Sequence, residues 1–447
     1  MTFPNSPVAR HAVVIGASMG GMLAARALAD FFERVTIVER DTLPEPGEHR
    51  KGVPQGRHTH ALLSSGRDVL EGLFPGLTED LVSMGAPRAY TTDLRWYDGG
   101  GYHCRFTIDD EENSALMVSR PLLEGYVRQR LRALPNVAVI ERCDALGLAM
   151  SERGTSVIGL RILRRAPGSA AEVVEADLVV DASGRASRAP QWLAEQGYEP
   201  PQEERITVDV GYVTRLYRRG PDDLGGTKVV ITNSAPGEGS FGGVMLAQEG
   251  ERWTVTLAGY GGNYPPMEEE PFLAAARSLP APDIYEIVSR NEPLSDFIPY
   301  RFPASVRHRY ERLTRVPEGF LVFGDAICSF NPIYGQGMSV AALEAADLQR
   351  SLREGLPGLW RRFLSRAART VDNPWQIVAS GDLRRPEAEG KRTVGMGFVN
   401  WYMSRLHVAA RRDPVVALAF HRVAMLQAPP ASVMRPGVVF RVVRGNL

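Results

Sequence analysis

The chain has 447 residues, 44% of them hydrophobic and 23% charged, and its 52 basic residues are balanced by 52 acidic ones. That length predicts two or three domains with a large core, and the zero net charge gives no electrostatic footprint for nucleic acid or an anionic membrane. Three scattered cysteines (Cys104, Cys143 and Cys328) with no C-x-x-C spacing argue against a zinc site or a disulfide framework and for a reducing, cytoplasmic setting.

Met1–Arg10 is polar and proline-bearing, which argues against a signal peptide, and no apolar run reaches transmembrane length. Ala12–Ile15 then reads as a buried strand, Gly16-Ala-Ser-Met-Gly-Gly21 as a tight turn, and the residues to Leu28 as a helix. A second strand, Val35–Val38, ends at Glu39. Strand, glycine turn, helix, strand and acid is the layout that binds a dinucleotide. Gly16 permits the turn, Gly21 lets the helix approach the strand, and the helix N-terminus offers N–H groups to a pyrophosphate. Ser18 stands where a second glycine is usual, and its hydroxyl is a candidate phosphate donor.

Arg50-Lys-Gly-Val-Pro-Gln-Gly-Arg-His-Thr-His60 concentrates basic groups and two histidines, a candidate loop over a cofactor phosphate or a substrate, the alternative being a solvated loop. His58 and His60 are candidates for proton transfer or substrate contact, since imidazole titrates near neutral pH. Residues 61–73 read as a helix, 86–117 as short strands, and Arg120–Leu134 as an amphipathic helix with Pro121 in its first turn. Val137–Ile140 reads as a parallel-type strand, and 157–163 with 172–174 as a hairpin.

Asp177–Asp181 is a strand feeding the small-residue turn Asp181-Ala-Ser-Gly-Arg185. From Arg205 to Gly259 the alternation predicts an antiparallel sheet. One face carries Ile206, Val208, Val210 and Tyr212, the other Trp253, Val255 and Leu257; the glycine patches 237–243 and 259–262 read as turns. Tyr212 and Phe241 are candidate substrate-lining residues. Gly319–Phe323 is a buried strand, followed by Gly324-Asp325, Asn331-Pro332 and a small-residue helix opened by Gly335-Gln-Gly337. A second acid and a second helix N-terminus suit a large dinucleotide held at both ends. The remainder is helical, with a break at Asp413-Pro414. Its Phe398, Trp401 and Tyr402 are either core or pocket, and Trp401 is retained as a substrate-lining candidate.

These motifs resemble those of the flavin-dependent monooxygenases of the aromatic-hydroxylase (p-hydroxybenzoate hydroxylase-like) type, and among them the bacterial FAD epoxidases of polyether-type polyketide pathways. The likeness rests on Gly16–Gly21, Arg50–His58, Asp181–Arg185 and Gly324–Gly337. It implies an α/β fold: a Rossmann-like, glutathione-reductase-like FAD-binding domain, an inserted antiparallel β-sheet substrate domain and a C-terminal helical region. The FAD-binding domain would comprise residues 1–80, 118–190 and 303–350, the substrate domain 81–117 and 191–302, and the helical region 351–447. FAD would be held by Gly16, Ser18, Gly20, Gly21, Glu39, Arg40, Arg50, Arg120, Gly324, Asp325, Pro332, Gly335, Gln336, Gly337 and Met338.

The resemblance further implies transfer of one atom of O2, through a flavin C4a-hydroperoxide, to a hydrophobic natural-product intermediate such as a polyketide, by epoxidation or hydroxylation. NADPH or NADH, or a separate flavin reductase, would supply electrons, and a carrier protein is a possible partner. Two departures bear on the donor: Ser183-Gly184 replaces the usual Asp-Gly, and Cys328 stands where histidine is common. The alternatives are a non-redox [4+2] cyclase that keeps FAD and a flavin-dependent reductase. A halogenase is disfavoured, because no two of the six tryptophans lie two residues apart.

Overall fold

In a computed structural model, which describes residues 8–50, 52–105, 114–233 and 241–447, three layers meet around one cavity. Lys51 and most of the 237–243 glycine patch lie outside the described residues. So do residues 106–113, within the stretch expected to form short strands.

The first layer is a parallel sheet of five strands, in the order Phe320–Val322, Leu178–Asp181, Ala9–Ile15, Phe32–Val38, Val137–Ile140. Ala12, Val13, Val14, Val35 and Ile37 are fully buried, as continuous apolar strands in a two-sided parallel sheet must be. Helix Met19–Ala29 packs against the long small-residue helix Gly337–Leu352, and helix Ser64–Leu73 packs on that helix too. A side chain at Gly66 would collide with Ser339, which shows how close the backbones run. The register pairs Ile15 with Asp181 and with Val38, and Asp181 with Val322, so four strand C-termini end in one row. That row forms the crevice where open α/β sheets bind ligands. The hairpin Val157–Arg164 with Glu172–Glu175 is present and joins Cys143–Met150 in a separate antiparallel sheet.

The second layer is an eight-stranded sheet built on Glu203–Arg218, paired antiparallel to Arg252–Tyr260 and Ile298–His308. Alternation gives it two faces. Val213, Tyr217, Trp253, Val255 and Leu257 pack under helices Glu269–Arg277 and Asp283–Val288. Val208, Val210, Tyr212, Ala258 and Phe302 form a cluster on the opposite side. The expected alternation of Ile206 with these residues is broken by an irregularity between Thr207 and Val210, and Ile206 joins the core of the parallel layer instead.

The third layer is helical. Helix Leu359–Asp382 runs back across the molecule, and Met396–Ala410, Pro414–Ala424 and Pro436–Arg444 build a small core of their own. The expected break is a helix start: Asp413 caps it by accepting from Val415 N–H at 2.9 Å, and Pro414 takes the first helical position.

Candidate functional site

A single cavity of about 1840 Å³ runs from the strand-end crevice, across the inner face of the antiparallel sheet, to the C-terminal helices. At the crevice, Gly16 takes φ +96° and a side chain there would lie 2.9 Å from the Ala182 carbonyl, while one at Gly21 would strike the Gly16 carbonyl. Both glycines are therefore dictated by close backbone packing. Ser18 precedes the helix without capping it, so the first N–H groups remain open towards the cavity. The Ser18 hydroxyl is already engaged: it accepts from Arg120 Nη2 at 2.9 Å, and Arg120 Nε donates to Glu124 at 2.8 Å.

Glu39 is buried and accepts from Ala17 N–H at 2.7 Å and from Asp41 N–H at 2.9 Å. Arg50 Nη2 reaches Glu39 at 2.5 Å. Nε and Nη1 of the same guanidinium are buried without a hydrogen-bond partner. Three charges and two orphan donors at the end of the second strand point to an absent polar ligand. Arg40 also lines this end of the cavity.

The second grip lies opposite. Gly324 N–H donates to the buried Glu344 at 2.7 Å, which fixes the turn that presents Asp325. Asp325 lies deep in the molecule, yet its carboxylate opens into the cavity. Burial raises its pKa above the usual carboxylate range, and Arg120 and Arg185 oppose that rise. Gly335 takes φ +66°, and Gln336 begins helix Gly337–Leu352 with no side-chain cap and with its own Oε1 buried and unpartnered. Pro332, Gly335, Gln336, Gly337 and Met338 all line the cavity beside this second helix N-terminus. The Asp181 turn is braced internally, since Ser183 and Ser187 hydroxyls both donate to the buried Asp181 carboxylate, at 2.5 and 2.7 Å.

The loop carrying the two histidines is sewn to the antiparallel sheet. His58 Nδ1 meets Thr214 Oγ1 at 2.8 Å, Thr214 meets Thr256 at 2.6 Å, and Thr59 meets Thr256 at 2.5 Å. The His58 ring packs edge-on against Tyr212 and Tyr300. Burial, followed by the fields of His60 and Arg57, lowers the His58 pKa to about 3; burial and then Arg120 lower that of His60 to about 4. Both are neutral at physiological pH, which departs from the expectation of imidazoles titrating near neutrality.

The cavity wall holds a carboxylate that the sequence reading passed over. Asp382, at the end of helix Leu359–Asp382, accepts from Tyr334 Oη at 2.9 Å and from Asn331 Nδ2 at 3.1 Å. Burial pushes its pKa up to about 7, against the pull of these two donors and of Arg385. The only sequence signal was an acid closing an amphipathic helix beside Gly381, where a side chain would collide with Tyr334.

Of the three substrate-lining candidates, Tyr212 lines the cavity. Phe241 does not: it lies just before strand Gly242–Gln248 and packs at the margin of the cluster beneath helices Glu269–Arg277 and Asp283–Val288. Trp401 is 54% exposed on the outer side of helix Met396–Ala410, beside Phe398, while its neighbour Tyr402 faces inward and lines the cavity.

Among known proteins, the sequence is 36% identical over 429 residues to Protein Rv3254 of Mycobacterium tuberculosis, covering 92% of this chain and 88% of that one. No family model matches the sequence. The structure resembles p-nitrophenol 4-monooxygenase PnpA from Pseudomonas putida DLL-E4 with a TM-score of 0.64 at 16% identity, over 93% of this chain and 98% of that one. It also resembles the flavin-dependent brominase Bmp2, with a TM-score of 0.65 at 14% identity, over 97% of this chain and 99% of that one. The chain thus has the α/β fold of FAD-dependent monooxygenases and halogenases, and by sequence it belongs to the family of Mycobacterium tuberculosis Protein Rv3254.

Proposed function

We propose that this protein is an FAD-dependent monooxygenase that inserts one atom of O2 into a large apolar small molecule, by epoxidation or hydroxylation. The observation that carries the reading is the continuity of the cavity. Its volume of about 1840 Å³ far exceeds the roughly 300–1,000 Å³ of an ordinary small-molecule site, which leaves room for a dinucleotide and a second ligand together.

The residues present fit FAD. The Gly16–Gly21 turn would take the pyrophosphate, and the unpartnered nitrogens of Arg50 beside Glu39 would take the adenosine end. Asp325 and the open N-terminus at Gly335–Gly337 would hold the flavin side. Bound and reduced, the cofactor would supply the oxygen-activating chemistry that no protein side chain provides. The chain's contribution is placement and shielding. The 335–337 N–H groups favour negative charge at their end of the cavity. Tyr212, Val244, Leu246, Ala258 and Phe302 present an apolar wall that keeps water away. His58 and His60, neutral and hydrogen-bonded, orient the loop over that wall. Asp382, with its pKa near 7, is the lining carboxylate suited to exchanging a proton through Tyr334 Oη near neutral pH.

A natural-product intermediate of polyketide type fits the size and the apolar lining, with NADPH, NADH or a separate reductase as donor. The test is to purify the protein, identify its flavin, mix it anaerobically with each nicotinamide, and trace ¹⁸O₂ into product. We expect a yellow protein and one labelled oxygen. A folded, colourless protein overturns the reading, and flavin-bound turnover without oxygen uptake favours a ring-forming enzyme on the same scaffold.

A further inference from the structure

The net charge of zero conceals a segregation. From residue 394 to the end, seven arginines face one acid, Asp413, a net of +6. That acid is already paired with Arg441 at 2.9 Å. Arg405, Arg412, Arg422, Arg435 and Arg444 are exposed.

The same segment carries large apolar side chains in solvent: Phe398 (55% exposed) and Trp401 on one helix, and Phe440 (67%) with Val443 on another. Single exposed apolar residues are ordinary, but clustering of this kind is not. Each set recurs at helical spacing, so each helix shows an outer apolar stripe: 398 and 401 on Met396–Ala410, and 440, 443 and 447 on and just beyond Pro436–Arg444. The two helices pack on each other, with Gly445 against Ala409 and Asn446 Nδ2 donating to the Arg405 carbonyl at 2.9 Å.

A third observation ties this surface to the cavity. Val399 and Met434 are both exposed and cavity-lining, so the apolar surface and the apolar chamber meet at these two residues.

We infer that the C-terminal helices dock on the surface of an anionic lipid bilayer, with Phe398, Trp401 and Phe440 entering the interface and the arginines facing lipid phosphates, so that an apolar substrate passes from the membrane between Val399 and Met434. The chemistry matches interfacial binding, in which aromatic side chains enter the headgroup boundary while arginines stay with the phosphates. No described helix is long and apolar enough to cross a membrane, so the contact is with one surface. Charge selects the occupant: a segment with seven arginines and one acid would repel the same segment of a second copy.

The test is co-sedimentation of the full-length protein with vesicles of phosphatidylcholine, alone or mixed with phosphatidylglycerol. We expect partition onto the mixed vesicles that weakens with salt, and a blue shift of tryptophan fluorescence that is lost in Trp401→Ser. The pair W401S/F440S and the pair R435Q/R444Q should each weaken partition by about tenfold or more. The arginine pair is exposed and alters no core contact, so it tests the surface even where the apolar pair folds poorly. Absence of sedimentation, equal partition onto uncharged vesicles, or variants that bind like wild type would overturn the inference. So would light scattering that shows a dimer which W401S/F440S converts to monomer. The inference is independent of the oxygenation reading: vesicle binding without flavin would sink that reading alone, and flavin without vesicle binding this one alone.

Discussion

The strand-end crevice and the C-terminal helices border the same cavity but are held by opposite electrostatics. The crevice is built on charge: Glu39 with Arg50, Arg120 with Glu124, and Asp325 between Arg120 and Arg185. The C-terminal wall is built on neutral rings. His103 Nε2 meets His407 Nδ1 at 3.1 Å, and Trp96 and Phe420 pack around them. The first region is suited to gripping a charged cofactor, the second to an uncharged guest. Buried charges need compensation on every side, whereas a neutral wall needs only packing.

The comparison breaks most severely at the glycines. Gly21→Val drives a side chain into the Gly16 carbonyl, and Gly16→Val strains a left-handed turn against Ala182. Each should cost about 3 kcal/mol or more and abolish flavin retention, measured by urea unfolding and flavin stoichiometry. Next is Arg50→Ala, which leaves Glu39 buried without its cation. A loss of about 2–5 kcal/mol in flavin affinity is expected by titration calorimetry, with Arg50→Lys restoring only part because a single ammonium cannot replace the fork. Asp382→Ala removes the acceptor shared by Tyr334 and Asn331 and should cost about 1–3 kcal/mol in thermal unfolding; Asp382→Asn should keep most of that stability while flattening any rate dependence on pH near 7.

The two regions should also part under pH. Burial raises Glu344, beneath the crevice, to about 8, so the fold favours its neutral form. That contribution is complete below about pH 4.5 and is lost as pH rises through 8. Burial lowers His103 and His421 to about 4 and lowers His407 as well, so here too the fold favours the neutral form. Their contribution is complete above about pH 6.5 and is lost as pH falls towards 4. Hydrogen exchange at pH 5 and at pH 8.5 should therefore loosen the C-terminal helices first on the acid side and the Gly324 turn first on the alkaline side. The smallest effect belongs to Phe440→Ser, which should change the stability of the protein in solution by no more than about 0.5 kcal/mol, since the side chain touches mainly water.

What could be read without coordinates was whatever short-range chemistry dictates. Gly16, Gly324 and Gly335 sit at positive-φ turns, Gly21 packs its helix on the Gly16 carbonyl and Glu39 follows its strand, each at the spacing the motif requires, and the strand alternation around Trp253 and Val255 placed them correctly. Phe241 precedes strand Gly242–Gln248 and packs beside the helix-covered cluster, a placement that no alternation pattern specifies. Trp401 lies on the exposed side of its helix, and helical spacing says which residues share a face but not which face meets the protein. Asp382 was missed because its partners, Asn331 and Tyr334, lie about fifty residues away, and only the packing of the long helix brings them together. The basic, aromatic C-terminal surface was invisible in a net charge that sums to zero.

The row of strand ends has a consequence for how this protein is made. Ile15, Val38, Asp181 and Val322 finish side by side, yet the first 322 of 447 residues must emerge before the last of them pairs with Asp181. Such distant pairings form late in folding. The N-terminal βαβ unit can assemble early, but the Gly324–Gly337 wall arrives only after some 340 residues have been synthesised. During that interval the N-terminal βαβ unit lacks the opposite wall of its crevice, so the two grips on the cavity are completed in separate stages of folding.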